Sequence, residues 1–320
     1  MDKRIAYKYE DISLVPNFSK LSSRGNAKTS VKLGDNTFKL PVIPANMKSV
    51  INEDIAEYLS NEGYFYVMHR FGIDLYDFVV KANKQDWSTI SISVGVQTSD
   101  YELVSKLGAL KSQGAVDYIT IDIAHGYCSA MKNMIDYIQD HLPGAFIIAG
   151  NVATMHAVNE LALWGADCVK VGIGQGHVCT TKDKTGFTYP MFTCVEECAK
   201  SDIPIIADGG MKCNGDICKA LVAGAHMTMA GSLFSACEDS PGDVLYLGGK
   251  KRGKVYYGSA SEKNKGSKRH IEGVEKVIES NYMTYADKLQ ELKEDIQSGI
   301  SYAGGSTLNA FNKVDYIINY

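Results

Sequence analysis

The sequence predicts a single-domain α/β fold, a (β/α)8 TIM barrel, from the pattern of its apolar residues. Eight short apolar runs rich in β-branched residues recur at near-regular intervals between residues 39 and 230. Between them lie segments with apolar residues at i, i+3 and i+4, the spacing of amphipathic helices. Most of the runs are too apolar to show alternation with polar residues, which indicates parallel strands buried on both faces. Eight strand-helix repeats satisfy a closed barrel better than an open doubly wound sheet.

The predicted strands are these apolar runs, at residues 39–44, 64–68, 89–94, 118–123, 145–149, 168–172, 203–207 and 226–230. Helical spacing is clearest at residues 55–59, 103–110, 131–138, 158–163 and 217–222, and most of these segments are followed by Gly or Gly-Ala. Glycine there permits the left-handed conformation that ends many helices. The longest interval, between the sixth and seventh strands, holds a glycine-rich loop with a cysteine.

The pattern loosens beyond the eighth strand. A basic, glycine-rich turn at residues 248–253 and a polar stretch at 259–269 predict a mobile lid at about 248–273. A last amphipathic helix is predicted at about 285–299, before a strand-like tail at 314–318. We therefore expect one catalytic domain over residues 1–320, with this lid and a C-terminal helix and tail at about 285–320.

Composition argues against several classes of function. The formal net charge is −4, so the chain has no general attraction for nucleic acid or acidic membranes. It shows no signal-peptide pattern and no apolar run long enough to span a membrane, so we expect a cytoplasmic protein. The eight cysteines include no C-x-x-C pair. Cys194 and Cys198, four residues apart on a predicted helix, favour packed thiols over a metal pair.

The glycine-rich loop at residues 171–182 is the strongest local signal for chemistry. Gly172, Gly174 and Gly176 free the backbone to approach a ligand or ion closely, and Cys179 follows them. Backbone N–H groups of such a loop, with Lys182 and a second lysine nearby, stabilise a thiolate. Cys179 is therefore a candidate nucleophile. The alternative is an inert cysteine in a loop of small residues.

Polar residues follow most of the predicted strands. In a barrel the carboxyl ends of all strands meet at one rim, where chemistry takes place. Asparagine and glycine are also common in turns, but a whole set on one rim indicates a site. Glycines after the seventh and eighth strands further predict a phosphate site. The set comprises Asn46, His69, Arg70, Asp122, His125, Asn151, Cys179, Asp208, Gly209, Gly210, Gly231 and Ser232.

Three motifs, GIGQGHVCTTK at 172–182, IIADGG at 205–210 and YYGSAS at 256–261, resemble the family of purine-nucleotide enzymes that comprises IMP dehydrogenase and GMP reductase. The resemblance runs over nearly the whole chain, from residues 9–16 to 301–305. Two positions depart from the usual family pattern. Gln175 stands where proline is common, and His177 stands where a small residue is common.

The resemblance implies that Cys179 attacks C2 of a purine nucleotide and that Thr181, relayed from Glu272, acts as the general acid. It places Asp208 on the ribose hydroxyls. It assigns the phosphate to Gly209, Gly210, Gly231 and Ser232, and further substrate contacts to Tyr257, Gly258, Ser259, Ser261, Arg269 and Gly273.

The resemblance also implies a nicotinamide cofactor, NADPH in the reductases, with Arg70 and Asp122 at its ribose and phosphates. Segments containing Ser23, Arg24, Ser298 and Tyr302 resemble those that reach a neighbouring subunit's cofactor, which implies a homotetramer. Backbone carbonyls around Gly174, Gly176 and Cys179 resemble a site for a monovalent cation such as K⁺.

Two chemistries occur in this family, and the chain resembles the reductase branch. Dehydrogenases usually carry a regulatory domain inserted after the second strand, whereas only 20 residues separate Met68 from Thr89. The predicted lid also lacks the arginine-tyrosine pair that activates water in the dehydrogenases. We therefore expect conversion of GMP and NADPH to IMP, ammonia and NADP⁺.

Three alternatives stay open from the sequence. One is an IMP dehydrogenase that lacks the regulatory domain. Another is a non-catalytic nucleotide-binding barrel. The third is a phosphate-binding isomerase or aldolase barrel in which Lys170, inside the sixth strand, forms a Schiff base.

Overall fold

A computed structural model describes residues 5–110, 116–247, 250–265 and 269–319. Its strands are β1 Ile12–Leu14, β2 Val31–Leu33, β3 Asn36–Phe38, β4 Val42–Pro44, β5 Ser91–Val94, β6 Tyr118–Asp122, β7 Phe146–Val152, β8 Cys168–Val171, β9 Ile205–Asp208, β10 Met227–Ala230, β11 Val244–Leu247, β12 Lys250–Tyr257, β13 Glu275–Ile278 and β14 Tyr316–Ile318. Its helices are α1 Glu53–Asn61, α2 Leu75–Lys84, α3 Thr98–Gly108, α4 Ser129–His141, α5 Met155–Leu163, α6 Thr181–Thr185, α7 Met191–Cys198, α8 Asn214–Val222, α9 Ser232–Ser235, α10 Glu262–Lys265 and α11 Tyr285–Tyr302.

The central sheet confirms the predicted barrel. Seven parallel strands lie in the order β4-β10-β9-β8-β7-β6-β5. The remaining predicted strand, residues 64–68, pairs with β5 only at Met68, whose N–H donates to Ser91 at 3.0 Å and whose carbonyl accepts from Ser93 at 2.8 Å. The rest of that run, Phe65 to Val67, is held by complete burial of its side chains. The structure is a (β/α)8 barrel whose second strand is reduced to one bridge.

The predicted helices are confirmed, and they begin before the predicted residues where polar caps lie outside the apolar spacing; α3 ends at Gly108, two residues before its predicted end. Asn52 caps α1 by accepting from the Ile55 N–H at 3.0 Å, and Thr284 caps α11 by accepting from the Asp287 N–H at 3.2 Å. Helix α11 runs to Tyr302, three residues past its predicted end. Helix α7 carries Cys194 and Cys198, both fully buried, as packed thiols.

Aromatic side chains close the amino-terminal end of the barrel. Phe65 packs against Phe38 and Tyr118, with ring centroids 5.0 and 4.9 Å apart. The β2–β3 hairpin covers this end, and the Tyr118 hydroxyl donates to the Leu33 carbonyl at 2.7 Å. Since side chains fill this end, the barrel interior opens to ligands at the opposite rim, where the chemistry of such folds takes place.

The segment after the barrel contains more regular structure than the predicted lid. Strands β11, β12 and β13 form an antiparallel sheet, and β12 begins at Lys250, inside the predicted turn. Residues 248–249 of that turn and 266–268 of the polar stretch lie outside the described residues. Strand β14, shorter than the predicted tail, pairs with β1. No helix in the described part of the chain is long and apolar enough to cross a membrane.

Candidate active site

A cleft with two halves opens at the carboxyl ends of the barrel strands. Its glycine half is lined by Gly176, His177, Gly209, Gly210, Gly231, Ser232 and Tyr256. Its Arg70 half is lined by Asn46, Arg70, Asp122, Asn151, Lys170 and Gly174. Cys179, Asp208 and Glu272 line both halves. The predicted nucleophile therefore lies where two ligands can meet.

The cysteine loop is held by backbone hydrogen bonds to the segment after α10. Val274 N–H donates to the Val178 carbonyl, and Thr180 N–H donates to the Glu272 carbonyl, both at 2.9 Å. Within the loop, Cys179 N–H donates to the Gly176 carbonyl at 3.0 Å. Gly172 must be glycine, because its φ is +140° and a Cβ would collide with the Asp208 carbonyl. These contacts fix Cys179 relative to Glu272.

Three side chains form a hydrogen-bonded series across this junction. The Cys179 thiol donates to Thr181 Oγ1 at 3.3 Å, and Thr181 Oγ1 donates to Glu272 Oε2 at 2.5 Å. The structure thus brings together the three residues that the sequence assigned to catalysis, although Glu272 lies 91 residues from Thr181. A proton can move between sulfur and carboxylate along this series.

Lys170 is the centre of a buried polar cluster at the floor of the cleft. Its ammonium lies 2.7 Å from both Asp122 Oδ1 and Asp208 Oδ2, and it also donates to Asn151 Oδ1. Asn151 Nδ2 in turn donates to Asp208 Oδ2 at 2.9 Å. The Lys170 side chain is only 3% exposed. The sequence had suggested Lys170 only as a Schiff-base lysine.

The charges of this cluster fix its protonation. Burial alone would lower the pKa of Lys170, but the carboxylates of Asp122 and Asp208 raise it above its ordinary value. Burial likewise opposes ionisation of Asp122, but the positive charges of Lys170 and Arg70 hold its pKa below the ordinary value. Lys170 is therefore a charged, fully engaged ammonium. It lacks the free amine that a Schiff base requires.

Arg70 has unused hydrogen-bonding capacity beside this cluster. Its Nη1 lies 3.7 Å from Asp122 Oδ2, too far for a hydrogen bond. Within the described part of the chain this nitrogen is buried and has no hydrogen-bond partner. Asn46 Nδ2 donates to the same Asp122 oxygen at 3.1 Å. The Arg70 half thus offers a guanidinium donor to an anionic or carbonyl group.

The glycine half is shaped by the turns after β9 and β10. Gly209 and Gly210 have φ values of +93° and +80°, which favour glycine, and Gly231 precedes the short helix α9. Tyr256 packs over Gly231, where a Cβ would collide with its hydroxyl. Burial raises the pKa of Tyr256 above its ordinary value, so its hydroxyl stays a donor.

The structure places three predicted substrate residues away from the cleft lining. Side chains alternate along β12, so Tyr257 points away from the cleft, and the Lys263 ammonium lies 4.9 Å from its ring centroid. Tyr256, which sequence reasoning missed, lines the cleft instead. Ser261 is buried and pairs with Gly273 through the backbone. Arg269 is exposed and outside the lining. Gly258, Ser259 and Gly273 do line it.

The residues predicted to serve a neighbouring subunit lie together, outside this cleft. Arg24 Nη2 donates to the Tyr302 hydroxyl at 3.3 Å, and its guanidinium lies 5.2 Å from the Tyr302 ring centroid. Ser23 is exposed beside Arg24, and Ser298 is half-buried on α11. Their role at a neighbour's cofactor stays a prediction.

Gln175 and His177, the two loop residues that depart from the family pattern, both form contacts with neighbouring residues. Gln175 Nε2 donates to Thr188 Oγ1 at 2.6 Å. The His177 carbonyl accepts from the Lys276 ammonium at 2.9 Å, and its ring lies 6.2 Å from the ring of Tyr256. Partial burial and the nearby charges of Lys276 and Lys212 lower the pKa of His177.

Comparison with known proteins shows the family to which the chain belongs. The family described as "IMP dehydrogenase / GMP reductase domain" matches residues 6–319. The chain belongs to this family. A GMP reductase of Mesoplasma florum is 49% identical over 98% of both chains. Those of Acidovorax sp. and Oceanobacillus iheyensis are 47% and 48% identical over 98% of this chain and 95% of each relative. Family membership thus covers the barrel, the cysteine loop and the segment that carries Glu272.

Proposed function

We propose that the protein is a GMP reductase, which converts GMP, NADPH and one proton to IMP, ammonia and NADP⁺. The observation that carries this proposal is the series from Cys179 through Thr181 to Glu272 at the junction of the two halves. The series supplies a nucleophile and a proton path at one point, with room for a ligand on either side. Relatives named GMP reductase that match 98% of the chain support the same activity.

The glycine half would bind the nucleotide. The Asp208 carboxylate, whose Oδ2 is held by Lys170 and Asn151, accepts from the ribose hydroxyls through Oδ1. The turns at Gly209, Gly210, Gly231 and Ser232 present backbone N–H groups to the phosphate. The protonated Tyr256 hydroxyl, which donates to Met47 Sδ at 3.7 Å, would exchange that weak hydrogen bond for one to the phosphate beside Gly231. With the ribose and phosphate held in this way, purine C2 would face Cys179.

Covalent catalysis by Cys179 divides the reaction into two steps. The thiolate first adds to C2 of GMP, and the exocyclic amine takes a proton and leaves as ammonia, so that a thioimidate remains. Hydride addition at C2 and departure of the thiolate then give IMP. The proton for the amine passes from Glu272 through Thr181. Because the thiol donates toward Thr181, Glu272 also lies on the path by which the thiol loses its proton.

The Arg70 half fits a nicotinamide cofactor. The unpartnered Nη1 of Arg70 suits an anionic or carbonyl group, and the Asp122 carboxylate suits ribose hydroxyls. When bound there, NADPH supplies the hydride. Residues Arg70 and Asp122 would orient it, and Lys170 and Asn46 hold Asp122 in place.

Three further features complete the proposal. The carbonyls of Gly174, Gly176 and Cys179 would hold a monovalent cation such as K⁺, for which backbone carbonyl oxygens are suitable ligands. Ser23, Arg24, Ser298 and Tyr302 would contact the cofactor of a neighbouring subunit in a homotetramer. The reaction would take place in the cytoplasm.

The test compares two substrate pairs under the same conditions. GMP with NADPH should be consumed with release of ammonia, and IMP with NAD⁺ should give little xanthosine monophosphate. Comparable formation of xanthosine monophosphate would instead identify a dehydrogenase. Binding of GMP without turnover of either pair would identify a non-catalytic nucleotide-binding barrel.

A further inference from the structure

At the floor of the cleft the Lys170 ammonium lies between two carboxylates, of which Asp122 lines the Arg70 half and Asp208 lines both halves. The ammonium lies 2.7 Å from each of these carboxylates. The Asp122 and Asp208 side chains are 17% and 21% exposed, so both are partly open to ligand while Lys170 is not.

The other described residues near Asp122 and Asp208 cannot supply the positive charge that Lys170 places between these two carboxylates. Arg70 is the second positive side chain at the floor, but it lies 3.7 Å from Asp122 and faces the Arg70 half alone. Asn151 bridges Lys170 and Asp208, yet its amide carries no charge to offset a carboxylate. Asn46 likewise offers Asp122 a neutral donor. Removal of the ammonium would therefore leave two carboxylates close together in a mostly buried site, which electrostatics disfavours strongly.

We propose that Lys170 is a positioning residue for both ligands at once: it holds Asp208 for the nucleotide ribose and Asp122 for the cofactor. This inference rests on the proposed function. Lys170 contacts neither ligand in this account and acts only through the two carboxylates. One substitution at the floor of the barrel should therefore weaken two binding sites that share no ligand.

Binding of each ligand alone tests the proposal without turnover. In Lys170→Met, the dissociation constants of GMP and of NADPH should each rise about tenfold or more, because each carboxylate loses a charge-assisted hydrogen bond. Asp122→Asn should weaken NADPH far more than GMP, and Asp208→Asn should do the reverse. Lys39→Met is the matched control, since this lysine also pairs with a carboxylate, Glu62 at 3.1 Å, but precedes β4 at the amino-terminal end of the barrel and lines neither half. It should change neither constant appreciably.

A second-site variant separates positioning from general damage. Asp122→Asn added to Lys170→Met removes one of the uncompensated charges, so it should restore part of the GMP affinity, although Asp122 does not contact GMP in this account. If Lys170→Met does not fold, Lys170→Gln keeps a donor without the charge and should still weaken both ligands.

Three results would overturn the inference. The first is a folded Lys170 variant that binds only one of the two ligands more weakly. The second is a folded Lys170 variant that binds both with unchanged affinity. The third is a double variant that recovers none of the GMP affinity. Failure of the proposed function would look different, because the unaltered protein would then produce no IMP from GMP and NADPH, or would form xanthosine monophosphate from IMP and NAD⁺.

Discussion

The relay from Cys179 to Glu272 can be broken with almost no change in side-chain volume. Thr181→Val replaces the hydroxyl that joins sulfur and carboxylate by a methyl group, and Glu272→Gln keeps the shape but removes the acid. Thr181 Oγ1 takes part in both hydrogen bonds of the series, at 3.3 and 2.5 Å, so its loss interrupts the path completely.

The structure indicates how much of the reaction rate either variant should lose. The other carboxylates of the described cleft, Asp208 and Asp122, are engaged by the Lys170 ammonium and cannot readily take the place of Glu272. The full contribution of general acid catalysis, about a hundredfold to ten-thousandfold, should therefore be lost in either variant. Residues that act as a unit are not additive, so the double variant should be about as slow as the slower single variant.

The assay follows ammonia release and NADPH oxidation with GMP, beside hydride exchange between IMP and NADP⁺. The exchange releases no amine and should slow less than the forward reaction. Losses that multiply in the double variant would refute the relay, because the two residues would then act independently. A Thr181→Val enzyme close to the unaltered rate would refute it as well.

Three other predictions follow from the site and the barrel. Cys179→Ala should abolish turnover but leave GMP binding nearly unchanged, measured by equilibrium titration; parallel loss of both would make the cysteine structural. Tyr256→Phe should raise the KM for GMP several-fold without affecting binding of guanosine, which lacks the phosphate, and equal losses for both would place the hydroxyl elsewhere. Burial and the charge of Lys48 lower the pKa of His69 to about 4, below its ordinary value of about 6.5. The neutral His69 therefore stabilises the fold fully above pH 6.5, and about 2 kcal/mol should be lost between pH 7 and pH 5 as the unfolded chain takes up a proton. Denaturant unfolding at both pH values should show a loss about 2 kcal/mol larger in the unaltered protein than in His69→Asn, and equal losses would contradict the prediction.

The barrel could be predicted from the sequence because its strands are continuous apolar runs between amphipathic helices. An apolar pattern does not show which backbone groups form hydrogen bonds between strands, however. The run at 64–68 was therefore predicted to be a full strand like its neighbours. In the structure Phe65 to Val67 are fully buried, while only Met68 pairs with β5. Burial alone produces the same apolar run whether or not the backbone pairs.

The residues of the candidate site could likewise be predicted from the sequence only in part. The family resemblance identified Cys179 and Glu272, but a motif does not state which face of a strand a side chain occupies. Tyr256 and Tyr257 are adjacent, and only the placement of β12 over Gly231 decides that Tyr256 faces the cleft. Lys170 was considered only as a Schiff-base lysine, because a lysine inside an apolar strand gives no sign of its carboxylate partners, which come from β6 and β9.

The most direct test of the central claim follows the hydride and the amine in one reaction. With NADPH deuterated at the transferred position, the account predicts deuterium at C2 of the IMP formed from GMP, and one ammonia for each NADPH oxidised. Mass spectrometry of the IMP and an ammonia assay on the same sample measure both. IMP without deuterium at C2, or NADPH oxidation without an equal amount of ammonia, would contradict the account.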